Sequence, residues 1–545
     1  MRARLAMIAL LGGATFVHAA PPVLEALFPA GGQVGSTFTL AANGKLEADA
    51  RLWTDCPGVF FVPNGKKREW QVTILAEAPP GLHLVRAWNA EGASEPRWFS
   101  VGSLPEMAEV EPNNEVGKGQ ALEKLPVCVN ARLDTGGDVD GYTIKLAAGQ
   151  TLVAVAEAYA LGSAVDMVAH VVNDKGVRVL TVSDGRNLDP VVVFKAPAAG
   201  SYTVQLAGFG HPPVADVRFT GSTVVVYRMH LSAGPVVTEL FPAVISTLGK
   251  TEVELRGYGL DPKKLRHGLP VMPTNAVGDV VALAVPNALQ PVQVIAADKP
   301  GLMEKEPNQE VAQATPMKVG DSIGGHIADK DAMDRYALTV KKGDRVSLRL
   351  FARRIGSPLD AVLEVFNAEG KSLVSVDDVG DNSDPESVWT APADGVFQVV
   401  VRDRFGHGGE AFAYVLQAVA PAAEFSVKLA DGKALVLEAG KTVSLKATVK
   451  ITGDAKTPLV CRMAQLPPGV FAAEVAVPEK GGEVEVKLQA AIEAPDFQGP
   501  IGLTVWTKAE PNHFKEGRYP LRGENLRGTS LLDEAEPLWL TVKGK

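Results

Sequence analysis

Apolar and polar residues alternate along several stretches of this chain. Residues 345–350, 444–449 and 483–488 all show a period of two, which is typical of a strand with one face on a core and the other in solvent. The alanine-rich stretch 153–160 has helical propensity, but its counterpart later in the chain alternates, so it too is predicted as a strand. Short strands separated by Gly, Asp and Asn favour β-sandwiches over a parallel α/β sheet.

Two long segments of the chain repeat each other. Residues 109–115 read Glu-Val-Glu-Pro-Asn-Asn-Glu and recur at 304–310 as Glu-Lys-Glu-Pro-Asn-Gln-Glu. Further matches follow at separations of 194 to 196 residues: Asp140-Gly-Tyr142 with Asp334-Arg-Tyr336, residues 161–166 with 355–360, Asp189-Pro190 with Asp384-Pro385, and Phe209-Gly-His211 with Phe405-Gly-His407. A shorter repeat, at residues 22–30 and 235–243, precedes each copy. A unit of one small and one large module therefore occurs twice.

The length of the chain requires several domains. Its 545 residues exceed the roughly 250–300 residues at which single cores stop growing. An apolar fraction of 46% is ordinary for folded protein. We predict an all-β fold of tandem β-sandwich modules, divided as follows: signal peptide 1–19, Ig-like module 20–102, first large sandwich 103–232, short Ig-like module 233–301, second large sandwich 302–419, and C-terminal Ig-like sandwich 420–545.

The first residues have the pattern of a secretory signal peptide. Arg2 and Arg4 precede an apolar run at residues 5–16, and a small residue, Ala19, ends the segment. A membrane anchor is the alternative, but a span needs roughly 20 apolar residues and this run is shorter. Cleavage after Ala19 is predicted. The mature protein is then expected to be secreted, periplasmic or at the cell surface, without a membrane span.

Charge and cysteine content narrow the function classes. The net charge is -9 and no basic stripe occurs, which argues against a nucleic-acid partner. The three cysteines, Cys56, Cys128 and Cys461, are odd in number and fall in different modules, so they predict buried small hydrophobes rather than disulfides. Neither the cysteines nor the nine histidines have zinc-ligand spacing.

The large repeat resembles the bacterial pre-peptidase C-terminal (PPC) domain over residues 103–232 and 302–419. The similarity rests on the Glu-Pro-Asn start, the Asp-x-Tyr that follows, and four motifs of the second copy: residues 356–360, 367–370, 377–378 and 393–397. The small repeats resemble Ig-like folds of the IPT/TIG type. The PPC resemblance implies an accessory sandwich, which in that family assists secretion or, in collagenases, binds substrate. A catalytic domain normally precedes it, whereas here a small β-module does.

The Glu-x-Glu-Pro-Asn segment predicts a cation site. Pro307 disfavours the helical region for Glu306, so the segment is expected to be extended. Alternate side chains of an extended chain share a face, which groups Glu304, Glu306 and Asn308. Neighbouring carboxylates repel unless a cation lies between them, and an Asp-rich loop downstream could supply further oxygen ligands. Calcium accepts six to eight such ligands in irregular geometry.

The PPC resemblance implies a ligand set in each copy. In the second copy the implied residues are Glu304, Glu306, Asn308, Gln309, Asp331 and Asp334, with Tyr336 packing nearby. In the first copy they are Glu109, Glu111, Asn113, Asn114, Asp138 and Asp140, because Gly137 stands where Asp331 would fall. The cofactor implied is structural Ca²⁺. The alternative is a solvated acidic linker beside a turn-forming Asp.

Short enzyme-like motifs and clustered tryptophans in this sequence also have ordinary structural explanations. Asp134, His407 and Ser530 have the chain order of a subtilisin-like triad, but the first two lie in different copies of a repeated accessory domain, so no shared cleft is expected. His211 and His407 recur after Phe-Gly without a recurring carboxylate or nucleophile. Four tryptophans crowd the first module, where core positions are favoured over an exposed platform: Trp53, Trp70, Trp88 and Trp98.

The sequence therefore predicts a non-enzymatic, exported protein that acts in binding, adhesion or scaffolding, as a string of five β-modules. Its partner would be an extracellular protein or polysaccharide. Two alternatives stay open: an accessory subunit that targets a separate secreted hydrolase or assists its secretion, and a cryptic hydrolase.

Overall fold

A computed structural model describes residues 20–186, 188–210, 218–272, 277–378, 384–421, 424–452, 458–507, 514–521 and 534–545. The predicted signal peptide, His211 and Ser530 lie outside the described residues. Within them the chain forms 48 β-strands and three 3-10 helices (Pro262–Lys264, Val311–Gln313 and Arg353–Ile355). This confirms the all-β, tandem-sandwich fold class. In this described part, no helix has both the length and the apolar character to cross a bilayer.

The first small module contains two sheets, with strand orders β1-β3-β6-β5 and β2-β9-β7-β4, and β8 pairs with β7. Alternation sets its core: along Glu69–Ile74, Trp70, Val72 and Ile74 point inward and are buried. The strands are β1 Val23–Phe28, β2 Gly31–Gln33, β3 Thr37–Lys45, β4 Arg51–Thr54, β5 Val59–Pro63, β6 Glu69–Ile74, β7 Gly81–Asn89, β8 Gly92–Ala93 and β9 Arg97–Gly102.

The first large sandwich has a six-stranded sheet of order β10-β12-β20-β14-β18-β17 facing a five-stranded sheet of order β11-β13-β19-β15-β16. Residues 153–157 of the predicted strand lie in β14, so burial outweighs their helical propensity, whereas residues 158–160 form the turn that follows it. The strands are β10 Glu106–Ala108, β11 Gln120–Ala121, β12 Val127–Arg132, β13 Asp140–Leu146, β14 Thr151–Glu157, β15 Val165–Asn173, β16 Arg178–Val182, β17 Gly185–Arg186, β18 Asp189–Lys195, β19 Gly200–Gly210 and β20 Val226–Ser232.

The second small module has two three-stranded sheets, β21-β23-β24 and β22-β26-β25. Its core of aliphatic residues also takes in Phe351 and Val415 of the following sandwich. The hydrophobic core therefore continues across the boundary between the two modules. The strands are β21 Val236–Phe241, β22 Val244–Ser246, β23 Thr251–Tyr258, β24 Arg266–Leu269, β25 Val280–Leu283 and β26 Val292–Ala297.

The second large sandwich has sheets of order β27-β29-β36-β31-β34 and β28-β30-β35-β32-β33. This is the strand order of the first large sandwich without its β17, so the two sequence repeats share one topology. The strands are β27 Leu302–Met303, β28 Thr315–Met317, β29 Asp321–His326, β30 Met333–Val340, β31 Arg345–Phe351, β32 Ala361–Phe366, β33 Ser372–Val376, β34 Glu386–Thr390, β35 Gly395–Asp403 and β36 Ala413–Val419.

The fifth module packs a sheet of order β37-β39-β43-β41 on one of order β38-β48-β44-β40-β42, with β45 on β44 and a β46-β47 pair. The alternating stretches 444–449 and 483–488 lie in β39 and β43, as predicted. The strands are β37 Glu424–Leu429, β38 Leu435–Glu438, β39 Thr442–Thr452, β40 Leu459–Ala464, β41 Val470–Ala472, β42 Val475–Ala476, β43 Gly482–Ala490, β44 Phe497–Thr507, β45 Phe514–Glu516, β46 Tyr519–Pro520, β47 Glu534–Ala535 and β48 Leu538–Lys543.

The fifth module folds back onto the first, an arrangement that the sequence did not indicate. Trp539 of β48 is 1% exposed, and its ring centroid lies 5.5 Å from that of Trp53 and 6.1 Å from that of Trp88. Two tryptophans of the first module thus contact the last module, while Trp70 lies in the core of its own. An aromatic platform exists, and the chain itself covers it.

A buried arginine joins the same two modules. Arg86 of β7 is fully buried, and its guanidinium donates to the Ser94 carbonyl (2.8 Å), the Gly432 carbonyl (2.9 Å) and the Tyr519 hydroxyl (2.7 Å). Burial lowers the Arg86 pKa, and the Tyr519 contact opposes that shift. A buried guanidinium needs several acceptors, and with the Pro537 carbonyl at 3.4 Å the fifth module supplies three of them.

The three cysteines are free thiols in the cores of separate modules. Cys56, Cys128 and Cys461 are 4%, 1% and 0% exposed. Cys56 and Cys461 belong to apolar core clusters, as predicted, whereas the buried Cys128 contacts the polar side chain of His230.

Candidate metal centre

The second large sandwich gathers three carboxylates at one edge. Glu304 follows β27 in one sheet, and Asp334 lies near the start of β30 in the facing sheet. Oxygens of Glu304, Glu306 and Asp334 all lie within 4.8 Å of one another. The cluster therefore bridges the two sheets of the sandwich.

The segment that carries the two glutamates bends instead of staying extended as predicted. Strand β27 ends at Met303, and the chain turns at Glu306, whose peptide bond to Pro307 is cis. The Glu306 carboxylate accepts the backbone N–H of Asn308 at 3.0 Å and the side-chain amide of Gln309 at 3.0 Å. These contacts hold the Glu306 carboxylate against the residues that follow it.

Two tyrosines connect the cluster to the core. The Tyr336 hydroxyl donates to Glu304 (3.0 Å), and the Tyr414 hydroxyl donates to Asp334 (2.6 Å). The two hydroxyls lie 2.7 Å apart across the sandwich, because Tyr336 is on β30 and Tyr414 is on β36. The amide of Asn308 adds a donor to Glu304 at 3.1 Å. The carboxylates are thus oriented by buried donors before any ligand binds.

The first large sandwich repeats this arrangement. Oxygens of Glu109, Glu111 and Asp140 lie within 4.8 Å of one another. Tyr227 donates to Asp140 at 2.5 Å, and its hydroxyl lies 2.6 Å from that of Tyr142. In both copies, therefore, a tyrosine pair spans the sandwich beneath three clustered carboxylates.

Asn113 occupies in the first copy the place that Asn308 has in the second, but the two amides differ in their partners. Asn113 Nδ2 donates to Glu111 at 3.0 Å, and its Oδ1 accepts the N–H of Gly141 at 2.8 Å. The buried Oδ1 of Asn308 accepts no hydrogen bond from the described residues. The amide oxygen of Asn308 could therefore serve a ligand, whereas that of Asn113 already accepts a hydrogen bond.

Burial raises the pKa of the clustered carboxyls. It brings the pKa of Glu304 to about 8, with the charge of Asp334 adding to the shift. The pKa of Asp334 rises to about 7 through burial, opposed by the Tyr414 hydrogen bond. In the first copy, burial raises the pKa of Glu109 to about 8 and that of Asp140 to about 9. Without a cation, carboxyls of both clusters therefore hold protons near neutral pH.

The donor set fits a hard divalent cation. Within the described residues, one buried oxygen of Asp334 and one of Asn308 have no hydrogen-bond donor, and the same is true of Glu109 Oε2 and Asp140 Oδ1. Buried acceptors without partners are rare and call for a cause, such as an ion. All of these ligand atoms are oxygens, the type that calcium takes.

Two further residues of the implied second-copy set place no carboxylate oxygen in the cluster. Asp331 is exposed and has a left-handed backbone (φ 60°). Its N–H donates to the Gly406 carbonyl at 2.9 Å, and its Oδ1 lies 2.1 Å from where a Cβ on Gly406 would stand. Asp331 therefore faces a neighbouring loop. Gln309 approaches the cluster only through its amide, as a donor to Glu306.

In the first copy, Asp138 and Asn114 form a turn of their own. Asp138 accepts the N–H groups of Asp134 (2.6 Å) and Val139 (3.1 Å) and the side-chain amide of Asn114 (2.6 Å). It is buried, but it is not one of the three clustered carboxylates. Its hydrogen bonds are those of a turn-forming Asp, the role that the alternative interpretation gave it.

The residues considered for a triad have partners inside their own modules. Asp134 pairs with Arg132 at 3.0 Å, and His407 lies 3.4 Å from Asp403. Ser530 lies outside the described residues. The His407 ring is exposed, and the backbone N–H of His407 donates to the Asp403 carboxylate at 2.9 Å.

Sequence reasoning did not identify Tyr227 and Tyr414, which orient the buried aspartates. A signal was present, since each copy has a tyrosine in its last strand, β20 or β36. The loop before that strand differs in length between the copies. The two tyrosines therefore depart from the separation of 194 to 196 residues that revealed the other matches.

The stability of the metal-free protein is expected to fall as pH rises. The pKa values of Glu304 (about 8) and Asp334 (about 7) lie above those of an unfolded chain, near ~4. The contribution of these two carboxyls to the free energy of unfolding is therefore complete below about pH 4. It is lost as the pH rises through their pKa values in the folded protein. Calorimetry in a chelator between about pH 5 and pH 9 should show the melting temperature falling. Asp334→Asn, which mimics the protonated form, should flatten this profile, and a wild-type profile without slope would contradict the prediction.

Comparisons with known proteins give only distant structural similarities. No protein-family model and no curated protein matches the sequence. Among solved structures, the chain is similar to the PPC domain of a collagenase from Bacillus anthracis, with 13% identity over 21% of this chain and 98% of that one and a TM-score of 0.17. It is also similar to Sidekick-1 immunoglobulin domains 1–5 (10% identity, 97% and 98% coverage, TM-score 0.12). A third similar structure is that of the N-terminal eight Ig domains of the Down syndrome cell adhesion molecule, with 12% identity over 92% of this chain and 72% of that one and a TM-score of 0.14. Values this low say nothing about activity or partners.

Proposed function

We propose that this chain is an exported, non-enzymatic binding scaffold in which each large sandwich takes up one structural calcium ion. The observation that carries the proposal is the repeated cluster: three carboxylates within 4.8 Å of one another in both copies. Each cluster also holds buried oxygens that lack a donor within the described chain. The signal-peptide pattern of residues 1–19 supports export.

A calcium ion in the cluster would tie a module junction to the sandwich. The second small module ends its last strand at Ala297, and Glu304 follows shortly after on the connecting segment. Asp334 belongs to the far sheet of the next sandwich, so an ion shared with Glu304 fixes the connection to both sheets. It would also neutralise carboxylates that otherwise retain protons. The ligands must be deprotonated to bind, so uptake of the ion releases protons.

The position of the cluster suits a structural ion better than a catalytic one. Asp334 is fully buried, and its bound oxygen is held by Tyr414. Hydroxyl and amide donors already orient Glu304. Such second-shell contacts fix ligand geometry and raise affinity. The partner of the scaffold would be an extracellular protein or polysaccharide.

Calcium titration by isothermal calorimetry is expected to show two ions bound per chain. Glu306→Gln should remove the ion of the second copy and Glu111→Gln that of the first, each leaving one, because either change removes a charged ligand. Both glutamates are exposed, so the fold should tolerate the substitutions. Asp331→Asn is the matched control and should leave two ions bound, since Asp331 lies outside the cluster.

The titration can contradict the proposal in two ways. Absence of calcium binding at millimolar concentration, where extracellular modules bind, would remove the metal sites. Loss of one ion in Asp331→Asn, with Glu306→Gln unaffected, would place the site in the loop beside Gly406 instead.

A further inference from the structure

Strand β5 of the first small module forms one edge of its sheet. It stands last in the order β1-β3-β6-β5, and among the described residues it pairs only with β6. Its sequence, Val-Phe-Phe-Val-Pro, contains no charged residue. An edge strand offers unpaired N–H and C=O groups to another chain, and charged residues on the strand are a usual protection against such pairing. Strand β5 has no protection of that kind.

The register with β6 shows which main-chain groups of β5 face the free edge. The even-numbered residues turn their main chain toward β6, as the bonds at both ends show: Gly58 with Leu75 (2.8 Å) and Asn64 with Glu69 (3.3 Å). The direction of these groups alternates along an antiparallel strand. The odd-numbered residues therefore turn theirs to the free edge: Val59, Phe61 and Pro63.

The side chains of β5 alternate in the same way. Phe61 points inward, where its ring centroid lies 5.7 Å from that of Phe99. Phe60 and Val62 point away from the core and are 53% and 59% exposed. A single exposed apolar residue needs no explanation, but here two of them border a row of free main-chain groups. The edge thus has the features of a surface that pairs with another strand.

The turn that follows β5 is basic. Lys66, Lys67 and Arg68 form the only run of three basic residues in the sequence, and all three are exposed. Lys66 lies 3.5 Å from Glu69, and Lys67 lies 3.5 Å from Glu47. Arg68 has no acidic partner within the part of the chain that the structure describes. This end of the strand therefore carries an excess positive charge.

The other end of β5 is acidic. Asp55 lies in the turn before the strand, and Glu77 lies in the loop after β6, which packs against Gly58. Both carboxylates are exposed. His83 is 3.7 Å from Asp55, and no lysine or arginine pairs with either carboxylate among the described residues. Because the two ends differ in sign, an antiparallel second copy of β5 would bring unlike charges together.

We propose that two copies of this chain associate through β5, as antiparallel neighbours with Phe61 opposite Phe61 of the second copy. This register overlaps all five residues of the strand. The two Phe61 residues then exchange both of their main-chain hydrogen bonds. Val59 N–H has only a 3.4 Å contact with the Cys56 carbonyl, so it can donate to the Pro63 carbonyl of the second copy. Pro63 has no N–H, which limits the pairing to these bonds.

The outer face of the pair is self-complementary. In this register Phe60 of each copy meets Val62 of the other, so both exposed apolar side chains of each strand become covered. A twofold interface requires one surface to complement itself, and β5 does so in hydrogen bonding, apolar contact and charge. This inference goes beyond the binding-scaffold function and does not depend on calcium.

Analytical ultracentrifugation of the chain from Ala20 onward is expected to show a monomer–dimer equilibrium. One strand per copy is a small interface, so the Kd should be at or below ~100 µM, in the range of transient association. Phe60→Lys should weaken the dimer about tenfold or more, because it places a charge against Val62 of the second copy. Phe471→Lys is the matched control and should leave the Kd unchanged. Phe471 is 62% exposed on β41, an edge strand of the fifth module.

Disulfide trapping tests the register. Phe60 and Val62 of the second copy would form a non-hydrogen-bonded pair, whose Cα atoms lie about 4.5 Å apart, a distance that a disulfide can bridge. An equimolar mixture of Phe60→Cys and Val62→Cys proteins in oxidised glutathione should give a cross-linked dimer. Neither variant alone should do so. The three native cysteines are buried and should not interfere.

Several outcomes would overturn the inference. A chain that stays monomeric at ~100 µM would do so, as would a dimer that Phe60→Lys leaves intact. Equal weakening by Phe60→Lys and Phe471→Lys would show only a general effect of added charge. Cross-linking of either cysteine variant alone would contradict the register. A monomer that still takes up two calcium ions would refute the dimer and leave the metal sites standing.

Discussion

Replacing Arg86 with alanine is expected to lower the free energy of unfolding by about 3–5 kcal/mol. The substitution removes the donor from the carbonyls of Ser94 and Gly432 and from the hydroxyl of Tyr519. Each buried polar group left without a partner costs about 1–3 kcal/mol. Gly432 and Tyr519 belong to the fifth module, so the substitution should mainly weaken the contact between the first and fifth modules.

Differential scanning calorimetry and small-angle scattering would check this expectation. The variant should separate the unfolding of the two modules into distinct transitions and increase the radius of gyration. Arg51→Ala is the control, since Arg51 is an exposed arginine on β4 of the same sheet. Its effect should stay within about 0.5 kcal/mol. An Arg86→Ala protein that melts like the wild type would show that the modules are held together without this arginine.

Replacing Asp384 with alanine is the second large effect, with an expected loss of about 3–5 kcal/mol from the second large sandwich. The Asp384 carboxylate is fully buried. It accepts the backbone N–H groups of Ala352 (3.1 Å), Arg353 (2.8 Å) and Arg354 (3.2 Å), as well as the Arg354 guanidinium (2.8 Å). Alanine would leave the amides that start the 3-10 helix without acceptors.

The first copy supplies an independent repetition of this experiment. Asp189 accepts the N–H groups of Ala158 (2.9 Å), Tyr159 (2.8 Å) and Ala160 (2.9 Å), so Asp189→Ala should destabilise the first large sandwich by a similar amount. Asp378→Ala, at an exposed carboxylate, is the control and should change little. Chemical denaturation that shows losses under about 1 kcal/mol for both buried aspartates would contradict the role assigned to them.

The sequence was sufficient for the fold class and for the pairing of the two repeats. Alternation gave the strands at 345–350 and 483–488, because one face of each is buried and burial decides which residues are apolar. The sequence alone did not explain why the Asp-Pro pair recurs. Its role depends on a loop some 30 residues away, where Asp384 binds Arg354.

The candidate site was predicted in part, and the misses have physical causes. Glu304 and Glu306 lie close in sequence, so a local motif could pair them. Asp331 and Asp334 were grouped by their spacing in one loop and by the PPC resemblance, but Asp331 itself has a left-handed backbone and its carboxylate lies against Gly406, outside the cluster that contains Asp334. Spacing does not report a sign change in φ at a non-glycine residue.

Contacts between distant modules leave no periodic trace in a sequence. Arg86 and Tyr519 are 433 residues apart, and each reads locally as an ordinary strand residue. The tryptophans of the first module were expected in a core because that is the commoner place for them. Trp53 and Trp88 instead meet Trp539 of the last module. Composition indicates that such residues will be covered, but not which part of the chain covers them.

The return of the fifth module to the first determines how the protein would carry a mechanical load. In an extended array, a pull on both ends is transmitted through each domain in turn. Here Lys543 pairs with Glu91, and the side-chain amide of Asn89 donates to the Ala20 carbonyl, so the two ends of the described chain lie on neighbouring modules. Tension applied there would act first on the seam around Arg86 and Trp539. The inner sandwiches, with their carboxylate clusters, would bear force only after that contact had separated.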